Sequence, residues 1–126
     1  MKIRLQFNSV RLRLKRSEVE QFARTGRVEE KLTFGEGAGN SLFYILETAD
    51  VPAPQARLTA NGVIVQVPLD AAASWAAGSD VGMEGTQAVG EKGCLHVLIE
   101  KDFACLDGTD DQNINTFPHP LAGTKC

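Results

Sequence analysis

Apolar and polar residues alternate from the first strand-length stretch of the chain. Ile3, Leu5 and Phe7 are apolar at every second position, Asn8-Ser9 reads as a tight turn, and Val10, Leu12 and Leu14 alternate again. A period of two means a half-buried strand, so residues 2–15 read as a β-hairpin. The period then changes. Ser17 followed by Glu20 is a capping-box pair, Val19, Phe22 and Ala23 fall at helical spacing, and Gly26 is placed to end a helix. Two more strand patterns follow, Arg27–Phe34 and Ser41–Thr48, joined by a glycine-rich loop around Gly37.

The same succession then returns. Sliding the chain by 53 positions aligns residues 1–50 with 54–103 without a gap and gives ten identical pairs, among them Asn8/Asn61, Val28/Val81 and Leu42/Leu95. Chance would supply roughly three at ordinary residue frequencies. Leu12 and Leu14 match Val65 and Val67, Phe22 matches Trp75, and Ser17 matches Asp70, a second N-cap candidate. The second hairpin turns at Asn61-Gly62, a strong two-residue turn signal. A helix from Asp70 to near Gly78 follows, burying Ala72, Trp75 and Ala76, then strands Asp80–Gly85 and Cys94–Lys101. The connector Ala49–Pro54 carries two prolines and marks the unit boundary.

The expected fold is α+β, a tandem duplication of a β-β-α-β-β unit. One unit alone would expose a sheet edge and an apolar face. The two are therefore expected to join about a pseudo-twofold axis into one eight-stranded, mostly antiparallel curved sheet or barrel with two helices, as a single domain spanning 1–126. Residues 104–126 form a C-terminal tail outside the duplication.

Charge changes the picture at the first hairpin. A turn at Asn8-Ser9 pairs Leu5 with Leu12 on the apolar face, and Gln6 with Arg11, Arg4 with Arg13 and Lys2 with Lys15 on the other. Like charges directly opposite cost roughly 0.2–1 kcal/mol per pair, so something should neutralise them. Glu29, Glu47, Glu84 and Glu100 are the intramolecular candidates. Solvent on an outer face is a second answer. A bound anion gripped by Arg4, Arg11, Arg13 and Lys15, with Arg57 the only matching cation of the second hairpin, is a third. Up to Lys31 there are nine Lys or Arg against four Asp or Glu, a net of +5; the remainder carries four against twelve, a net of −8. The cheaper reading of that asymmetry is a basic half folded against an acidic half.

The topology resembles the triphosphate-tunnel fold of adenylate cyclase-like and thiamine-triphosphatase enzymes, a duplicated unit closed into an eight-stranded tunnel. That resemblance would imply luminal Arg and Lys gripping a triphosphate and Glu residues holding a metal; in a hydrolase of that kind Glu47 and Glu100 would be the equivalent metal ligands. The family's first strand carries Glu-x-Glu-x-Lys, whereas this one reads Lys2-Ile3-Arg4-Leu5-Gln6. The motifs NSVRLRL, GRVEEK, EKDFACL, FPHP and a final Cys also resemble an uncharacterised bacterial family whose function is unknown.

In the tail, Cys105, His119 and Cys126 are donors suited to zinc, but their spacing matches no zinc motif and no fourth ligand is evident. A Cys105–Cys126 disulfide is a further possibility, disfavoured in a reducing cytoplasm. Three cysteines at wide spacing, no apolar run of spanning length and no secretory block point to the cytoplasm. His96 reads as a strand residue at the core margin. No phosphate loop, dinucleotide glycine pattern or metalloprotease helix is present, and no cofactor is expected. Few aromatics and an overall charge of −3 disfavour nucleic acid. The expectation is a non-enzymatic binding module for an anionic small molecule or an acidic partner surface, with a metal-dependent phosphohydrolase as the alternative.

Overall fold

The computed structural model describes residues 1–91, 93–102 and 117. Along the chain run β1 (Lys2–Gln6), β2 (Ser9–Leu14), α1 (Arg16–Thr25), β3 (Arg27–Thr33) and β4 (Ser41–Ala49). The second unit repeats them as β5 (Gln55–Thr59), β6 (Gly62–Pro68), α2 (Leu69–Ala77), β7 (Gly82–Ala88) and β8 (Cys94–Lys101). The class is α+β and the strand pairing mostly antiparallel, as the periodicity implies.

The eight strands do not form one sheet, and they do not close into a barrel. They make two four-stranded sheets, ordered β1-β2-β8-β7 (sheet A) and β3-β4-β6-β5 (sheet B). Each sheet takes one hairpin from each unit, joined in the middle by a parallel pair, β2 with β8 or β4 with β6. The helix between a unit's hairpins carries the chain from one sheet to the other, so hairpins adjacent in sequence are separated in space. The registers repeat at the 53-residue offset: Lys2↔Arg13 answers Gln55↔Gln66, and Val10↔Val97 answers Tyr44↔Val63.

Several registers differ from expectation by two residues. The first hairpin pairs Ile3 with Leu12 and Leu5 with Val10, so its turn is Phe7-Asn8, with Asn8 in the left-handed region at φ 51°. The second turns at Ala60-Asn61 instead of Asn61-Gly62. Gly62 lies in β6 for a different reason: a Cβ there would be 2.1 Å from the Phe43 carbonyl oxygen of β4. β7 is displaced likewise. Gly82, not Asp80, stands opposite Glu100, so Met83 and not Val81 is the buried counterpart of Val28. Unit two has two more residues before β7 and two fewer in the following loop.

Helix α1 starts earlier than the Ser17/Glu20 signal implies. Lys15 is the N-cap and its N–H donates to Glu18 Oε1 at 2.8 Å. The helix ends at Gly26, whose φ of 76° suits the left-handed cap and whose N–H donates to the Phe22 carbonyl. Helix α2 begins at Leu69 after Pro68, one residue before Asp70. Ala23 is exposed, while Val19, Phe22, Ala72 and Trp75 are buried. Phe22 and Trp75, at equivalent positions, meet edge to face with ring centroids 6.2 Å apart. Around them one core cluster collects Leu12, Leu14, Leu46, Val65, Val67, Val97 and Ile99 from both sheets.

The two sheets approach along the edges β5 and β7. At Gly85 a Cβ would fall 2.1 Å from the Pro54 carbonyl oxygen. Two residues further on, the Gln87 amide accepts from Ala56 N–H and donates to Ala56 C=O, both at 2.8 Å. The equivalent seam, β1 with β3, begins where the Met1 ammonium reaches Glu30 Oε1 at 2.9 Å and also pairs with Glu18. Tyr44 Oη donates to the Met1 carbonyl at 2.8 Å, and burial together with Glu30 and Glu18 raises its pKa.

The buried Lys101 amine donates to the Gly78 carbonyl at 2.9 Å and lies over the rings of Trp75 and Phe117. Burial lowers its pKa, against an opposing pull from Asp80. Phe117 is tied back by its N–H to the Asp102 carbonyl at 2.8 Å. The rest of the tail, with the Cys105, His119 and Cys126 set and the Cys105–Cys126 pair, lies outside the described residues.

Replacing Gln87 with Ala strands the Ala56 N–H and C=O at the seam. We expect a loss of about 1–3 kcal/mol in denaturant unfolding, with Thr86→Ala within about 0.5 kcal/mol of wild type.

For Glu18, burial raises the pKa, but hydrogen bonds from the Met1 ammonium and Lys15 N–H outweigh it and the net shift is downward from 4.5. Its contribution is complete above pH 4.5 and is lost as pH falls through the lower folded-state value. Wild type should therefore lose more stability below pH 4.5 than Glu18→Gln does, measured by unfolding at stepped pH.

Candidate functional site

Side chains pointing away from the core on sheet A fall into three rows of four, one residue from each strand. Reading β1, β2, β8, β7, the rows are Lys2-Arg13-Glu100-Gly82, Arg4-Arg11-Leu98-Glu84 and Gln6-Ser9-His96-Thr86. The parity of β1 and β2 that buries Val10, Leu12 and Leu14 necessarily puts the cations together on this outer face. The two-residue slip changes which cations face each other: Arg4 opposes Arg11, and Lys2 opposes Arg13.

Neutralisation comes across the parallel junction. Glu100 Oε1 accepts from Arg11 Nε and, at 3.5 Å, from Arg13 Nε. Lys2 Nζ reaches Asp102 Oδ2 at 3.5 Å. Of the four carboxylates proposed from sequence, Glu100 alone carries out that task among the described residues. Glu29 pairs with Arg27 at 3.5 Å, Glu47 accepts from Gln66 Nε2 at 2.9 Å, and Glu84 stands at the far edge of the second row. Arg4 has no ion pair among the described residues, and the Arg13 side chain is 48% exposed.

Arg4, Gln6, Ser9, Arg11, Thr86 and His96 border a depression of about 260 Å³ on this face. His96 is exposed there and not at the core margin. Its alignment with Phe43 carried the signal, because both occupy outward parity on equivalent strands. The Asn8 side-chain amide donates to the Cys94 carbonyl at 2.6 Å and His96 N–H donates to the Asn8 carbonyl, which fixes the turn beside the depression. Cys94 itself is a free, exposed thiol.

The remaining candidates are dispersed. Lys15 lies past the end of β2 as the cap of α1. Arg57 is on the outer face of sheet B, in the row Arg57-Ile64-Ile45-Glu29. Glu47 and Glu100 are equivalent in the duplication but lie in different sheets, each bonded within its own. No group of three His, Cys, Asp or Glu able to hold a metal occurs among the described residues. With the sheets unclosed, the tunnel that the triphosphatase resemblance implies is not built, and that resemblance does not hold. No described helix is long and apolar enough to cross a membrane.

The equivalent carboxylates Glu100 and Glu47 differ in their partners, two arginines for one and the neutral Gln66 amide for the other, which sets an ion pair beside a hydrogen bond from a neutral donor. A double-mutant cycle on Arg11→Met and Glu100→Gln should give a coupling of about 1–2 kcal/mol, between the exposed and hydrogen-bonded limits for ion pairs. The cycle Gln66→Leu with Glu47→Gln should give no more than about 1 kcal/mol.

No curated protein and no solved structure matches the chain. A protein-family model does, over residues 1–121, which takes in both units and the docked Phe117. Its description is "Family of unknown function (DUF7009)", and the protein with this twice-used hairpin and basic outer face belongs to that family.

Proposed function

We propose that the chain is a non-enzymatic binding module that receives an anionic small molecule on the outer face of sheet A. The observation that carries this reading is the surplus of cations beside a concavity. Lys2, Arg4, Arg11 and Arg13 fill the β1–β2 half of two adjacent rows, and Arg4 has no ion pair among the described residues. Arg4 and Arg11 border the depression with Gln6, Ser9, Thr86 and His96 as further hydrogen-bonding groups, and Glu84 is the one carboxylate among its lining residues. Its volume of about 260 Å³ lies just under the usual range for small-molecule sites, which suits one phosphate- or carboxylate-bearing group better than an extended polymer. Guanidinium groups bind such oxyanions through paired N–H donors. Glu100 holds the arginines in place and competes with the ligand for them. The exposed free thiol of Cys94 fits a reducing compartment such as the cytoplasm.

The test is a thermal-stability series with inorganic phosphate, tripolyphosphate and ATP, each with and without Mg²⁺. An anion present at about 100 times its Kd adds about 2.7 kcal/mol, on the order of 10 °C for a chain of this size. The expected result is stabilisation that does not need the metal, weakens with salt and falls about tenfold in affinity in Arg4→Ala. Glu100→Gln should bind phosphate more tightly than wild type, because the competing carboxylate is removed. Wild type that shows no shift with any of the three anions overturns the proposal.

A further inference from the structure

The helices lie at one end of both sheets, because β2 and β6 run straight into α1 and α2 and β3 leaves α1 at once. The hairpin turns Phe7-Asn8 and Ala60-Asn61, and the loops joining β3 to β4 and β7 to β8, are therefore all at the opposite end. There the core-facing side of the sheets continues into solvent. Leu5 shares its face with Val10, Leu32 with Leu46, and Leu58 with Val63, yet all three leucines are exposed. Phe34 and Val89 continue the β3–β4 and β7–β8 ladders by one step on the same face, and Phe7 is exposed in the β1–β2 turn. Among the described residues only Leu69 and Val81 are large, apolar and exposed at the helix end.

The exposure follows from how the sheets separate along their seams. Pro54 and Gly85 are in backbone contact, Ala56 and Gln87 are one side chain apart, and Leu58 and Val89 are uncovered. At the other seam Met1 meets Glu30, and the positions that the repeat makes equivalent to the later steps are Ile3 and Leu32, then the exposed Leu5 and Phe34. Both copies of the repeat thus carry large apolar residues at the last, uncovered step.

We infer that this splayed apolar end is a protein–protein interface and that its occupant is a second copy of this chain. Leu58 is 83% exposed and Phe7 97% exposed. At about 200 Å² for a fully exposed large side chain, the six named residues present on the order of 800 Å² of surface. That exceeds the largest apolar patch of a typical monomer and equals about one partner's share of a standard interface. Charge gives the choice of partner. The sequence of the four tips (residues 7–8, 34–40, 60–61 and 89–93) carries only Glu36, Glu91 and Lys92 as charged groups, so a charged partner finds little to pair with. A twofold contact sets a patch against itself, which an apolar surface accommodates and a charged one does not. The basic face of sheet A remains outside this contact.

Sedimentation equilibrium of the full chain at about 100 µM tests the inference. The expected outcome is twice the chain mass for wild type, the single-chain mass for the Phe7→Ser/Leu58→Glu double variant, and an unchanged dimer for Leu69→Glu at the helix end. Far-UV circular dichroism reports whether the double variant is folded; if it is not, Phe7→Ser alone, at a turn residue, takes its place. Wild type at the single-chain mass overturns the inference, as does a folded variant that dimerises like wild type. A single-chain wild type that co-sediments with phosphatidylcholine vesicles would assign the patch to lipid instead.

Discussion

The contact between Phe22 and Trp75 is the constraint on which the two-sheet arrangement depends. These residues occupy equivalent places in the repeat, are almost wholly buried, and meet where the two helices pack together. Burying a pair of large aromatics contributes several kcal/mol, and it is available only if both helices come to the same place. Each helix is tethered on both sides by a hairpin. Bringing the helices together therefore obliges the hairpins to interleave, with the first hairpin of one unit beside the second hairpin of the other. The parallel junctions β2–β8 and β4–β6 are the result. The hydrogen bonds from Phe43 N–H to Asn61 C=O and from His96 N–H to Asn8 C=O repeat this logic at both junctions.

Within that nearly symmetric frame, the two outer faces have diverged in chemistry. The middle row of sheet A is Arg4-Arg11-Leu98-Glu84, while the equivalent row of sheet B is Arg57-Ile64-Ile45-Glu29. Replacing a guanidinium with an isoleucine beside a second isoleucine creates a small apolar platform, and Ile45 is buried there outside the main core. In sheet A the same place gathers charge, and Glu100 crosses the parallel junction to meet two arginines. Gln66 and Glu47 keep the geometry of that contact with half its charge. Duplication fixes where the side chains project, and each copy's own residues decide what the projected surface can hold.

The alternation of Val10, Leu12 and Leu14 was sufficient to assign strands, inward faces and the grouping of the hairpin cations. It could not assign register to better than two residues, because a slip of one reverses both faces while a slip of two preserves them. Each register departure has that form. Leu5 meets Val10 instead of Leu12, and Met83 replaces Val81 as the partner of Val28 in the repeat. Local signals also carried two meanings. Gly62 resembles a turn residue, but the close passage of Phe43 is what excludes a side chain there. The cap of α1 uses Glu18 and the Lys15 N–H, a choice reinforced by the Met1 ammonium on the same carboxylate, a contact with no local sequence signature. Nothing in alternation separates one eight-stranded sheet from two of four, since both bury the same faces.

What does decide between one sheet and two is the seam. Had β5 and β7 been adjacent members of one sheet, the Ala56 N–H and C=O would have been met by the backbone of a strand whose axis runs about 4.8 Å away. They are met instead by the amide of Gln87, which supplies one donor and one acceptor at the end of a side chain. This substitution satisfies a buried backbone while allowing the strands to diverge, which a ladder cannot do. Contact between Gly85 and Pro54 behind it sets the point from which they separate. Divergence in turn leaves Leu58 without a lid, so the device that spares the seam an unpaired backbone also generates the apolar surface beyond it. The unclosed barrel and the exposed apolar end are two consequences of the same geometry.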